Sequence, residues 1–210
     1  MAEPAYPAGS VVALLESASV TTPTRQVLQA RLAVRPGLAP RFFDSPSFAT
    51  LSALCVRLIP PIEGIGQLDI AGTIDQMLAD GTGDGWRYDA MPPDGLAYHQ
   101  GLQGIDESAC AMFGAPFCRL EPAQQDSVLH AVQAGTAPGS AWQALPETLF
   151  FEELLAAAVQ ACYAHPLAQE SIGYAGMADK PGWQAIGLNQ LEAREPRPSR
   201  LPRSAQGVHD

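Results

Sequence analysis

The chain has 210 residues, with 12 Lys and Arg against 22 Asp and Glu, a formal net charge of −10 and a pI near 4.7. That balance repels nucleic-acid phosphates instead of neutralising them, so no nucleic-acid partner is expected, and the length suits one domain that takes about 70% of its unfolded surface out of water. No apolar run approaches the ~20 residues of a spanning helix, so direct membrane insertion is not expected either.

The first 24 residues hold neither Arg nor Lys, and their longest apolar run, Val11 to Leu15, is too short for a secretory signal. The expected location is the cytoplasm, or the periplasm if the chain leaves with a signal-bearing partner. Ser10 is placed to cap a short helix through Val11, Leu14 and Leu15. Thr22-Pro23 opens a second, continued by Val27, Leu28, Arg31 and Leu32 until the segment from Pro36 to Phe43 breaks it. Residues 1–44 thus read as an N-terminal helical arm.

From Ser45, with Pro46 in the first turn, Phe48, Leu51, Leu54, Cys55 and Leu58 recur at helical spacing until Pro60-Pro61. Asp69 caps the next helix, which carries Ile70, Ile74, Met77 and Leu78 and closes at Gly81. The loop Asp80–Gly85 resembles the start of a calcium-binding EF-hand loop, but the twelfth position is Met91 where a bidentate Glu is required, so it reads as a connector. Asp94 is placed to cap a long helix through Leu96, Leu102, Ile105, Ala109 and Met112 to Gly114. Gly101 and Gly104 each weaken that helix by ~1 kcal/mol relative to Ala, which predicts close packing against a neighbour there. Tyr98, His99, Asp106 and Glu107 are expected at its surface. After Phe117–Pro122 comes a helix with Val128, Leu129 and Val132 inward and Gly135 as its stop.

The organising stretch runs from Pro146 to Leu188. It opens as a helix that is apolar on nearly every side, from Leu149 to Cys162, a pattern that belongs inside a bundle. His165-Pro166 should end it. A long loop with Gly173, Gly176, Gly182, Tyr174 and Trp183 follows, and ordered loops of this kind are more often recognition surfaces than plain connectors. Between Arg119 and Lys180 no basic residue occurs, while Glu121, Asp126, Glu147, Glu152, Glu153, Glu170 and Asp179 do. Two readings stand: a solvated acidic surface, or a docking face for a basic partner. Beyond Leu191 the Pro- and Arg-rich residues 191–210 read as a disordered or partner-wrapping tail.

No strand alternation persists, so the fold class is all-α: a single helical bundle of six or seven helices with a long Gly/aromatic C-terminal loop, its main domain spanning residues 45–190. Cys55, Cys110, Cys118 and Cys162 are too widely spread for zinc pairs, and Cys55 and Cys162 fall on apolar helical faces as small buried hydrophobes. No nucleophile elbow, phosphate loop, H-E-x-x-H or dinucleotide fingerprint is present. No catalytic or metal-ligating set is assigned.

The combination Leu149-Phe150-Phe151-Glu152, Tyr163-Ala164-His165-Pro166, Ile172-Gly173-Tyr174, Gly182-Trp183 and Ile186-Gly187 resembles the C-terminal signature of the gluconate 2-dehydrogenase subunit 3 family. Leu58-Ile59-Pro60, Ile74-Asp75 and Phe117-Cys118-Arg119-Leu120 fit the same order, so the resemblance covers about residues 45–190. It implies a small helical, non-catalytic subunit that binds no cofactor itself. Its partner would be a large FAD-containing flavoprotein of the glucose-methanol-choline type, oxidising a sugar, sugar acid or polyol and often passing electrons to a cytochrome c subunit. Many relatives begin with a twin-arginine signal, which this sequence does not show, and carry a Tyr-Gly-Gly-Asn run where this one reads LAQESIGYAG. On this reading Tyr163, His165, Pro166, Tyr174 and Trp183 are the candidate interface residues, against the alternative that Tyr163 and Trp183 only pack the loop onto its own bundle. Two rivals are a stand-alone enzyme using His165, Glu170 and Tyr174, and a transient chaperone or scaffold.

Overall fold

The computed structural model describes residues 6–33, 39–62, 66–83, 88–176 and 182–198. Parts of the Pro36–Phe43 break, of the Asp80–Gly85 connector and of the tail (199–210) lie outside the described residues. Among those described the protein is all-helical, with eight α-helices and two short 3-10 turns. The count exceeds the expected six or seven because Pro166 starts a further helix where a loop was predicted. Proline ends one helix and fits the first turn of the next for the same reason, its missing N–H. The helices group into two compact units.

The larger unit comprises residues 36–60 and 68–162. It contains α3 (Ser45–Leu58), α4 (Ile70–Asp80), α5 (Asp94–Phe113), α6 (Pro122–Gln133) and α7 (Glu147–Tyr163), the last residue of α7 grouping with the other unit. Asp44 caps α3 through the Ser47 N–H at 2.9 Å, and Asp69 caps α4 through the Gly72 N–H at 2.9 Å. Gly81 closes α4 in the left-handed region, as its sequence position predicts. Asp94 does not cap α5: it is the first helical residue, after Pro93.

The core is made by Leu51, Leu54, Ile74, Leu102, Ile105, Phe117, Val128, Phe150 and Leu154, all buried. Here the two glycines of α5 find their reason. A Cβ at Gly101 would lie 2.2 Å from the Phe150 ring, and one at Gly104 would lie 2.6 Å from the Trp142 indole. Trp142 also donates to the Ser108 hydroxyl at 3.0 Å. Tyr98, expected at the surface, is buried and packs edge-on against Phe150 at 5.9 Å; only His99 of that pair is exposed, stacked on Phe42 at 5.0 Å.

Carboxylates hold the loops of this unit. Asp75, 3% exposed on α4, accepts from the backbone N–H groups of Arg41, Phe42 and Phe43 at 2.6, 3.1 and 3.0 Å. Asp106 accepts from the Phe117 N–H at 2.9 Å and the Thr50 hydroxyl at 3.0 Å. Glu107 accepts from the Ser140 and Ala141 N–H groups, which with the Gln103 amide keep its carboxyl below the usual value. The expected surface pair Asp106-Glu107 is therefore half-buried and structural. In the acidic block, Asp126 forms a two-pronged pair with Arg57 at 2.8 and 2.7 Å, Glu121 completes a capping box, and Glu152 accepts from Tyr88. Only part of that block is plain solvated surface.

Helix α7 departs from the all-round burial its composition suggested. Phe150, Phe151, Leu154, Ala157, Ala158 and Cys162 are buried, whereas Glu152, Ala156, Val159 and Gln160 are exposed. Those four positions fall on one face at helical spacing, so alanine and valine there mask an outward stripe in a composition-based reading. Cys55 and Cys162 are buried as expected, and burial pushes the Cys55 thiol up to about 12. Cys110 and Cys118 are exposed.

The smaller unit joins the two ends of the chain, residues 1–35 and 163–210, with 61–67. It contains α1 (Ser10–Leu15), α2 (Thr22–Ala33) and α8 (Pro166–Ser171). Leu15, Val20 and Leu28 form its apolar cluster, with Leu14 and Leu32 packed against it. Arg25 ties the α1–α2 turn by donating to the carbonyls of Leu15, Ser17 and Val20. Ser10 is not the cap of α1: Gly9 occupies that position at φ 83°, a left-handed conformation that glycine takes without strain.

Candidate interaction surface

Every candidate interface residue lies in the smaller unit. Tyr163 closes α7 with its side chain exposed, and its carbonyl accepts from the Gln169 amide at 3.0 Å. His165 is extended, at φ −85° and ψ 130°, as a residue before proline prefers. Its Nδ1 accepts from the Leu167 N–H at 3.3 Å and so caps α8, while Pro166, the first residue of that helix, is buried. Arg31 of α2 donates to the Ala164 carbonyl at 2.8 Å. Burial, with the Arg31 charge adding to it and the Arg31 backbone opposing it, holds the His165 pKa below its ordinary value. His165 is thus a half-buried positioning group, not an open one.

Glu170 is the least exposed carboxylate among the described residues of this unit, at 8%. Its two oxygens accept from the N–H groups of Gly9, Val11 and Val12 at 2.5, 3.2 and 3.5 Å, satisfying the free N–H groups of α1 with an opposite charge. The set His165, Glu170 and Tyr174 suggested for a stand-alone enzyme does not share a hydrogen bond among the described contacts: Glu170 faces α1, and Tyr174 is exposed beyond α8. Gly173, at φ 67°, brings the chain under the Tyr6 ring, where a Cβ would meet ring carbons at 2.5 Å.

Residues 182–198 continue the surface. Trp183 is exposed, with the Arg194 guanidinium 4.7 Å from the centre of its ring. Glu192 accepts from the N–H groups of Ala185, at 2.8 Å, and Gln184, and these bonds hold its carboxyl below the usual value. An open groove of ≈ 540 Å³ runs beside this turn, lined by Leu14, Ser17, Gly182, Gln184, Glu192 and Arg194 among others. Ile186 and Leu188 stand 85% and 93% exposed, the highest values among the large hydrophobic residues described.

Of the five residues singled out from sequence, Tyr163, Tyr174 and Trp183 are open to solvent, His165 is partly covered and Pro166 is buried. Sequence reasoning missed Glu170 as a tie, because its partners lie about 160 positions away. It named Ile186 only within the family signature and did not single out Ile186 or Leu188 as exposed surface residues.

This is a helical protein whose distinguishing surface is an exposed apolar and aromatic C-terminal segment, and among the described residues no group of three or more His, Cys, Asp or Glu side chains is placed to hold a metal ion. Nor is any described helix long and apolar enough to cross a membrane. The family model for gluconate 2-dehydrogenase subunit 3 matches residues 46–187, and the chain belongs to that family. The match takes in α3 to α8 and reaches past Ile186, whereas α1 and α2 precede it. The family name is that of an accessory subunit of a dehydrogenase complex, so partner subunits are implied. No curated protein and no solved structure matches the chain.

Proposed function

We propose that this chain is the non-catalytic small subunit of an FAD-dependent dehydrogenase of the glucose-methanol-choline type, which it binds, stabilises and helps to mature. The substrate class is a sugar, sugar acid or polyol. FAD resides in the large subunit, a cytochrome c subunit accepts the electrons, and the complex resides wherever its large subunit is carried, cytoplasm or periplasm. The observation that supports this reading is family membership over a stretch that ends in an exposed segment bearing Tyr174 and Trp183. Large aromatic side chains left open beside a folded helix act as anchors for a second protein, since they remove much area from water with few rotors to freeze.

The test is expression of the full chain with and without the large flavoprotein subunit. A stable complex with flavin absorbance, formed in better yield when the small chain is present, is the expected result. Sugar oxidation by the small chain alone, or a flavoprotein that loads FAD and stays soluble equally well without it, overturns the reading. Association that ends once the flavoprotein has folded assigns the chain to a transient chaperone role instead.

A further inference from the structure

We infer that His165 is an acid-sensitive latch: protonating its Nδ1 frees the first turn of α8 and, through Glu170 on that helix, loosens the grip of α8 on α1 and α2. The inference is independent of the partner proposed above, because every group in it belongs to the smaller unit of this chain.

The backbone leaves one amide at the start of α8 for the imidazole to hold. Pro166 has no N–H, and the Ala168 and Gln169 N–H groups donate to the His165 carbonyl at 3.0 and 3.1 Å. The Leu167 N–H remains, and it donates to His165 Nδ1 at 3.3 Å. A proton on Nδ1 takes up the lone pair that accepts this bond, so two N–H groups would then face each other. It also places a positive charge at a helix N-terminus, where cations are unfavourable.

The surroundings work against the charged ring. Helices α1 and α2 pack on α8. Within α1 no side chain titrates, and Glu16 just after it accepts from the Gln29 amide. On α2, Arg25 is spent on the carbonyls of the α1–α2 turn, whereas Arg31 is bound to the Ala164 carbonyl and acts on His165 as a like charge. Tyr163, at the end of α7, is exposed, and Glu170 of α8 is turned onto the N–H groups of Gly9, Val11 and Val12. Burial together with the Arg31 charge outweighs the Arg31 backbone, which favours the protonated ring, so the neutral form that closes the latch is the one this site supports.

Helix α8 carries both ends of the coupling. His165 fixes its start, and Glu170 further along supplies the acceptors of α1, while Arg31 ties α2 to the residue before His165. Opening the first turn removes the fixed backbone on which both ties depend.

The experiment follows hydrogen exchange of the full chain between about pH 7 and 5, each rate divided by the intrinsic rate at that pH. Protection at Val11, Val12 and Leu28 should fall severalfold, by no more than about tenfold per pH unit, the limit for one proton. Leu102 and Ile105 in the larger unit should keep theirs. His165→Asn retains an acceptor for the Leu167 N–H and does not titrate, so it should remove most of the fall. Flat protection in the unaltered chain overturns the latch. An equal fall in the Asn variant also overturns it, since a carboxylate such as Glu170 would then be the group responding, and so does a loss shared equally by Leu102 and Ile105, which is general acid unfolding. The Leu167 amide resonance decides without any variant: moving with the His165 ring titration supports the latch, and standing still while the ring titrates overturns it.

Discussion

The Glu170 carboxylate accepts a hydrogen bond from the backbone N–H of Gly9, 161 positions earlier in the chain. Through that contact and those to Val11 and Val12, one buried side chain of α8 supplies the missing acceptors of α1. Glu170→Ala leaves three N–H groups without their charged partner and should cost about 2–3 kcal/mol of stability in the smaller unit. Glu170→Gln, which keeps the size and one acceptor, should cost less. Hydrogen exchange at the Val11 and Val12 amides reads the effect directly, and unchanged protection in the Ala variant would show that the tie is incidental.

Gly101 lies under the Phe150 ring. In an exposed helix Gly→Ala stabilises by ~1 kcal/mol, but here the added methyl would sit 2.2 Å from ring carbon. Phe150 is buried and cannot swing into solvent. Gly101→Ala should therefore destabilise the larger unit by about 1–3 kcal/mol, with Gly104→Ala, against Trp142, changing stability in the same direction. Thermal denaturation of the purified chain checks this. A gain in stability at either position would mean that the ring yields.

His165 titrates below its ordinary value of 6.5, chiefly because of burial. Its folded form resists protonation more than its unfolded form does, so the unfolded chain binds more protons in the interval between the two values. Stability from this group is complete above about pH 6.5 and declines as pH falls through that interval towards the folded pKa. Denaturation midpoints measured between about pH 7 and 5 should decline, and His165→Asn, which keeps a side-chain acceptor for the cap, should remove part of that slope. A folded-state NMR titration of His165 with its midpoint above 6.5 would contradict the sign.

The helices were legible where the signals were local. Asp69 with Gly81, and the spacing from Phe48 to Leu58, fix α4 and α3 by capping and periodicity alone. The pair Gly101 and Gly104 correctly announced a close approach, though not that the visitors are Phe150 and Trp142, because a missing side chain records space and not its occupant. Pro166 was read for the helix it ends and not for the one it begins. Long-range polar ties were illegible. Asp75 to residues 41–43, Arg57 to Asp126 and Glu170 to α1 each join groups whose proximity only the fold creates. For the candidate surface, the aromatic positions stood out by size, while the exposure of Ile186 and Leu188 was not legible in the sequence.

Because α1 and α2 precede the stretch matched by the family, a shortened chain starting at that stretch would keep the signature yet strip away contacts that hold it. Glu170 would lose its acceptor-hungry helix end, Ala164 its guanidinium from Arg31, and Gly173 its covering ring from Tyr6. The stretch that the family model matches and the stretch that is tied together by these contacts therefore begin at different residues, and trimming at the first severs the second.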